Sequence, residues 1–130
     1  MKILVGYDDS KVAQDALKEA HKHAIAFKAD VYLVTSLEQS STLKKEDIDK
    51  AENKLETLRK PFKADDIACE THTSVSYASP GEDLVRFAKE NEMDEIIIGV
   101  KKRSKVGKLV FGSTAQYVIL NAPCPVLTVK

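Results

Sequence analysis

The chain has 130 residues, and its 20 Lys plus Arg balance 20 Asp plus Glu, for a formal net charge of zero. That balance excludes a protein held to nucleic acid or anionic lipid by bulk charge, which carries a basic excess. At 43% hydrophobic and 31% charged, the chain is neither disordered nor fibrous, and its length suits one domain with its own core.

In chain order, Lys2 to Gly6 is a continuous β-branched and aliphatic run, which predicts a strand buried on both faces. The run ends in Gly6 and is followed by Asp8 and Asp9. It falls far short of the about 7–15 apolar residues of a secretory leader or the about 20 of a membrane span. The expectation is a cytoplasmic protein with its whole length in one fold. Ser10 can cap a helix whose Val12, Ala13, Ala16, Leu17, Ala20 and Ala24 recur at three- and four-residue spacing. Val31 to Val34 predicts a second buried strand, followed by a polar stretch from Glu38 to Thr42. A helix then carries Ile48, Ala51, Leu55 and Leu58 on one stripe.

From Ile67 to Val75 the pattern alternates: Ile67, Cys69, Thr71, Thr73 and Val75 on one face, Glu70, His72 and Ser74 on the other. Such alternation suits a sheet edge with one wetter face. Ser79-Pro80-Gly81-Glu82 marks a helix start with cap, first-turn proline and capping-box acid, and Leu84, Val85 and Ala88 form its apolar stripe. Glu95 to Val100 predicts a fourth strand, Gly112-Ser113 opens a last helix that stops before Pro123, and Pro125 to Val129 predicts the final strand. The alternation implies α/β: a single doubly wound domain, a five-stranded parallel sheet with helices on both faces (βαβαβαβαβ). In such sheets ligands sit beyond the carboxyl ends of the strands, where the strand order reverses. The segments to search are therefore Tyr7 to Ser10, Thr35 to Glu38 and Gly99 to Thr114.

The third of these is the richest. It leaves a buried strand through Gly99 and enters a helix through Gly112-Ser113-Thr114, whose first amides are unpaired and carry the positive end of the helix dipole. Between the glycines stand Lys101, Lys102, Arg103, Lys105 and Lys108, a cationic run suited to a polyphosphate. The plainer reading is a solvated loop with Ser113-Thr114-Ala115-Gln116 as an ordinary capping box. A Walker-type P-loop is excluded, because Leu109 follows Gly107-Lys108 and no glycine lies five residues before Gly107. A phosphoacceptor receiver domain fits no better. Asp8 and Asp9 match its acidic pair, but Val75-Ser76-Tyr77 lacks the required Asp and the only late lysine is Lys130. His21, His23 and His72 show no metal spacing and read as surface residues. Cys69 and Cys124 stand alone and read as reduced thiols. With no evident base near the loop and no Ser/His/Asp set, efficient hydrolysis is not expected.

The spacing Gly99, two residues, position 102, nine residues, Gly112, then Ser113 resembles the nucleotide-binding signature of the universal stress protein family. The Asp8-Asp9-Ser10 turn and the closing Pro123-Cys124-Pro125-Val126 resemble that family too, and the likeness spans essentially the whole chain. The resemblance implies a small stress-response protein, regulatory rather than catalytic, that binds ATP or a related adenine nucleotide, with or without Mg. It implies phosphates held at Gly99, Gly112, Ser113 and Thr114, and Asp8 on the ribose or on nucleotide-bound Mg. It also implies Ser36 on the adenine through its backbone, and a homodimer formed through the C-terminal edge strand. One position departs: the second signature glycine is Lys102. Its side chain either blocks the phosphate cradle or brings an ammonium to it. If it blocks, the alternative is a dimeric protein-interaction module of the same fold.

Overall fold

The structure, a computed structural model, describes residues 1–101 and 111–130. Strands and helices alternate along them: β1 (Lys2–Gly6), α1 (Lys11–Phe27), β2 (Asp30–Glu38), α2 (Lys45–Ala64), β3 (Cys69–Ser76), α3 (Pro80–Glu90), β4 (Glu95–Gly99), α4 (Ser113–Asn121) and β5 (Val126–Val129). The strands form one parallel sheet in the order β3-β2-β1-β4-β5. The chain winds from β1 out to β3, returns to the other side of β1, and winds out to β5. The strand order thus reverses between β1 and β4, as the doubly wound expectation requires.

Burial follows the apolar runs. Ile3, Leu4 and Val5 are wholly inaccessible, as are Ile96 and Ile97 beside them. Alternation sends Ile3, Val5, Val31, Leu33 and Ile97 into one core under α1 and α2. Leu4, Val34, Ile96 and Ile98 enter a second core under α3 and α4. The inward stripe of α1 is mostly alanine (Ala13, Ala16, Ala20, Ala24, with Leu17), so this helix lies close against the sheet. Ser10 starts it as predicted, accepting the Ala13 amide at 3.2 Å. In α2, Leu55 and Phe62 are buried, while the expected partners Ile48, Ala51 and Leu58 are half-buried. Burying Leu55 contributes about 1.5–3 kcal/mol.

Three expectations shift. β2 continues past Val34 to Glu38, so Thr35 to Glu38 is strand and not loop. The physical reason is β3, which pairs with β2 from Val31↔Cys69 to Glu38↔Ser76 and supplies backbone partners after β1 has turned away. β3 is an edge strand as expected but starts at Cys69, leaving Ile67 outside it. Its buried/exposed alternation holds from Cys69 to His72 and fades beyond, where Ser76 turns to a polar partner on α3. Finally, α4 takes Gly112 as its N-cap and Ser113 as its first helical residue, and no side chain caps it. The Ser113 capping box therefore does not form.

Candidate functional site

A cleft of about 260 Å³ opens at the carboxyl ends of β1 and β4, at the reversal of strand order. Gly6, Tyr7 and Asp8 form one side, and Ile98, Gly99, Val100 and Lys101 the other. Val34 and Ser36 of β2, Pro80 and Leu84 of α3, and Gly112, Ser113 and Thr114 at the start of α4 complete the lining. Six of the seven residues singled out from the sequence as nucleotide-binding thus meet in a single cleft. The seventh, Lys102, lies outside the described residues.

The start of α4 is the strongest anion feature. Its first amides have no side-chain cap, and the Gly112 backbone (φ −65°, ψ 162°) is one that any residue adopts. A Cβ placed on Gly112 would meet no described atom within 4 Å. Among the described residues neither a neighbouring atom nor the backbone angle requires glycine there, and Gly112 lines the cleft. Gly99 is different. A Cβ on it would sit 2.5 Å from the carbonyl carbon and oxygen of Val12 and 2.8 Å from the Ala13 nitrogen. This glycine lets the first turn of α1 rest on the end of β4, so packing demands it whether or not a ligand is bound.

On the β1 side, the two acids divide their work. Asp8 Oδ1 accepts from the Ser10 amide (3.1 Å) and hydroxyl (2.6 Å), and the exposed residue lines the cleft. Asp9 has a left-handed backbone (φ 69°), and its Oδ1 accepts the buried Tyr7 hydroxyl at 2.9 Å. Gln14 in turn donates to the Tyr7 oxygen at 3.0 Å. Burial first, and then the Asp9 carboxylate, push the Tyr7 phenol up to about 12. Tyr7 is therefore a protonated strut that fixes the turn and leaves Asp8 at the cleft.

The sheet register sets the direction of the Ser36 backbone. The Tyr7 amide donates to the Val34 carbonyl at 2.9 Å, so the Val34 peptide faces β1. Backbone direction alternates along a parallel strand, and Ser36 therefore faces the same side. The β1–β2 register ends at Gly6↔Val34, so Ser36 looks past the end of β1. Its side chain points elsewhere: the hydroxyl donates to Asp83 at 2.6 Å. Sequence reasoning missed this partner, along with the Tyr7–Asp9 bond and the apolar walls Val34, Pro80 and Leu84. Among the described residues no three His, Cys, Asp or Glu side chains group to hold a metal ion. His21 and His23, read as surface residues, are instead partly buried beside acids, with contacts to Asp65 at 2.6 Å and Glu95 at 2.9 Å.

Comparison with known proteins agrees with this geometry. The family model described as "Universal stress protein family" matches residues 1–130. A universal stress protein of Methanocaldococcus jannaschii is 30% identical, with 99% of this chain and 81% of the relative aligned. The structure of a universal stress protein from Archaeoglobus fulgidus superposes with a TM-score of 0.88 at 37% identity, covering 100% of this chain and 98% of that one. The structure of a universal stress protein of A. fulgidus in complex with dAMP gives a TM-score of 0.83 at 33% identity, with the same coverage. The signature spacing, the doubly wound sheet and these likenesses together establish that the chain belongs to the universal stress protein family.

Proposed function

We propose that the protein binds ATP or a related adenine nucleotide in the β1–β4 cleft and acts as a regulatory cytoplasmic homodimer, not a proficient enzyme. The observation that carries this reading is the start of α4, where no side chain caps the first amides among the described residues and Gly112, Ser113 and Thr114 line the cleft. Phosphates suit that end, with Lys101 nearby. The apolar side chains of Val34, Pro80 and Leu84 in the same lining suit a purine, whose N1 and N6 edge matches the paired N–H and C=O of Ser36. Asp8 suits the ribose or a phosphate-bound Mg. The dAMP complex of the A. fulgidus relative supports the same class of ligand.

For the homodimer, the support is β5. It lies at the sheet edge with β4 as its one strand neighbour, and the nearby helix α4 exposes Ile119 and Leu120. A strand with a free edge is a template for its own copy. Two free cysteines, and no described helix long and apolar enough to cross a membrane, accord with the cytoplasm. Calorimetric titration of the nucleotide-stripped protein with ATP, ADP and AMP, with and without Mg, tests the nucleotide reading. Saturable heat is expected, and none at millimolar nucleotide would leave the interaction-module alternative.

A further inference from the structure

Among the described residues, Asp83 is the sole buried charged side chain, 3% exposed. It sits in the first turn of α3 and is the meeting point of three elements. Its Oδ2 accepts the Ser36 hydroxyl from β2 at 2.6 Å, and its two oxygens accept the Ser76 hydroxyl from β3 at 2.8 and 2.9 Å. The Arg86 guanidinium, half exposed on α3, also donates to it. Burying a carboxylate is unfavourable unless it is paired and hydrogen-bonded, and an apolar residue here would pack without that penalty.

What the carboxylate does that an aliphatic residue could not is hold the end of β2. Beyond Gly6↔Val34 that strand has lost β1 and keeps only β3, itself an edge strand. Asp83 ties both strand ends to the start of α3 through Ser36 and Ser76. With its hydroxyl drawn to Asp83, Ser36 presents its peptide to the cleft in one fixed orientation. We infer that Asp83 is a positioning residue for base recognition, acting through the Ser36 hydroxyl to set the peptide that reads adenine against guanine. The inference rests on the nucleotide reading proposed above. Guanine carries an acceptor at position 6 and a donor at N1, the reverse of adenine. A well-placed N–H and C=O pair rejects it, and a loosened pair discriminates less.

The test compares ATP, GTP and inorganic tripolyphosphate binding to the wild type and to Asp83→Ala, Ser36→Ala and Ser76→Ala. Asp83→Ala and Ser36→Ala are expected to lower ATP affinity about tenfold and to shrink the ATP-over-GTP ratio, with tripolyphosphate affinity unchanged. Ser76→Ala removes the other serine bond to the same carboxylate, away from the cleft, together with the bond its hydroxyl accepts from the Ala78 amide at 3.1 Å. It should lower thermal stability as Ser36→Ala does, yet keep the wild-type ratio. A purely structural role for Asp83 would lower stability in all three variants and leave the ratio intact, which would overturn the inference. So would an equal loss of selectivity in Ser76→Ala and Ser36→Ala. If Asp83→Ala fails to fold, Ser36→Ala against Ser76→Ala decides the matter. A wild type that binds ATP and GTP alike would defeat the base-reading role of Ser36 and this inference with it, whereas a wild type that binds neither would defeat the nucleotide reading first.

Discussion

Two glycines of the signature predict opposite outcomes when each is replaced by alanine. At Gly112 the added methyl meets no described atom within 4 Å, and the backbone angle (φ −65°) is ordinary. Alanine is a poorer N-cap than glycine by about 0.5–1 kcal/mol, and it restricts the unfolded chain to the extent of about 0.4–1 kcal/mol in the other direction. These offset, so Gly112→Ala should leave the melting temperature within a few degrees of wild type. The same methyl projects into the space where a phosphate would meet the α4 amides. Hydrogen bonds to a charged group contribute about 1.5–3 kcal/mol each, so losing one lowers ATP affinity about tenfold to a hundredfold. At Gly99 the methyl would stand 2.5 Å from the Val12 carbonyl, and backbone cannot rotate aside as a side chain can. Gly99→Ala should therefore reach the upper part of the about 1–3 kcal/mol typical of overpacking and lower the melting temperature by several degrees. Thermal denaturation followed by circular dichroism, with calorimetric ATP titration of each variant, reads both effects. If Gly112→Ala bound ATP as the wild type does, or melted as early as Gly99→Ala, the assignment of Gly112 to the ligand would be refuted.

Other consequences are independent of that pair. Tyr7 is raised from 10.0 to about 12, so its contribution to stability is complete below about pH 10 and is lost as pH rises through 12. In an ultraviolet difference titration of wild type against Tyr7→Phe, the wild type should show an ionisation near pH 12 that the variant lacks; a difference phase near pH 10 would contradict the strut. At the other edge of the sheet, the Pro125 and Val129 carbonyls accept from the Ile96 and Val100 amides, so alternation turns the Thr128 amide outward. Thr128→Pro should keep the β4–β5 ladder and convert a dimer into a 14.4 kDa monomer in sedimentation, and an unchanged dimer would exclude β5 as its interface. Lys102→Gly should raise ATP affinity if that side chain obstructs the cradle, and lower both affinity and salt dependence if it pairs with phosphate.

The elements with strong local signals were legible in sequence. The run Ile3-Leu4-Val5 had to be a central strand, and the Ser79 start of α3 was written in its capping residues. What could not be read was set by partners distant in the chain. β2 runs on to Glu38 because β3 pairs with it there, a fact no residue between 35 and 38 announces. Ser113 has the composition of a cap, yet Gly112 takes that place and brings no side-chain cap. Gly99 and Gly112 look equivalent in the signature, and only the proximity of Val12 separates packing from binding. Asp83 is one acid in a helix of mixed charge. Its inward turn depends on serines 47 and 7 residues away that converge only when β2 and β3 lie side by side. Ser36 lines the cleft, yet its hydroxyl serves Asp83 and its peptide faces past the end of β1.

Amide chemical-shift mapping of the nucleotide-stripped protein tests most directly whether adenine nucleotide sits over the β1–β4 reversal. On titration with ATP, the amides of Asp8, Ser36, Gly112, Ser113 and Thr114 should shift together and saturate at one stoichiometry, with the far ends of the strands unmoved. A spectrum unchanged at millimolar ATP, or shifts confined to residues outside this cleft, would contradict it.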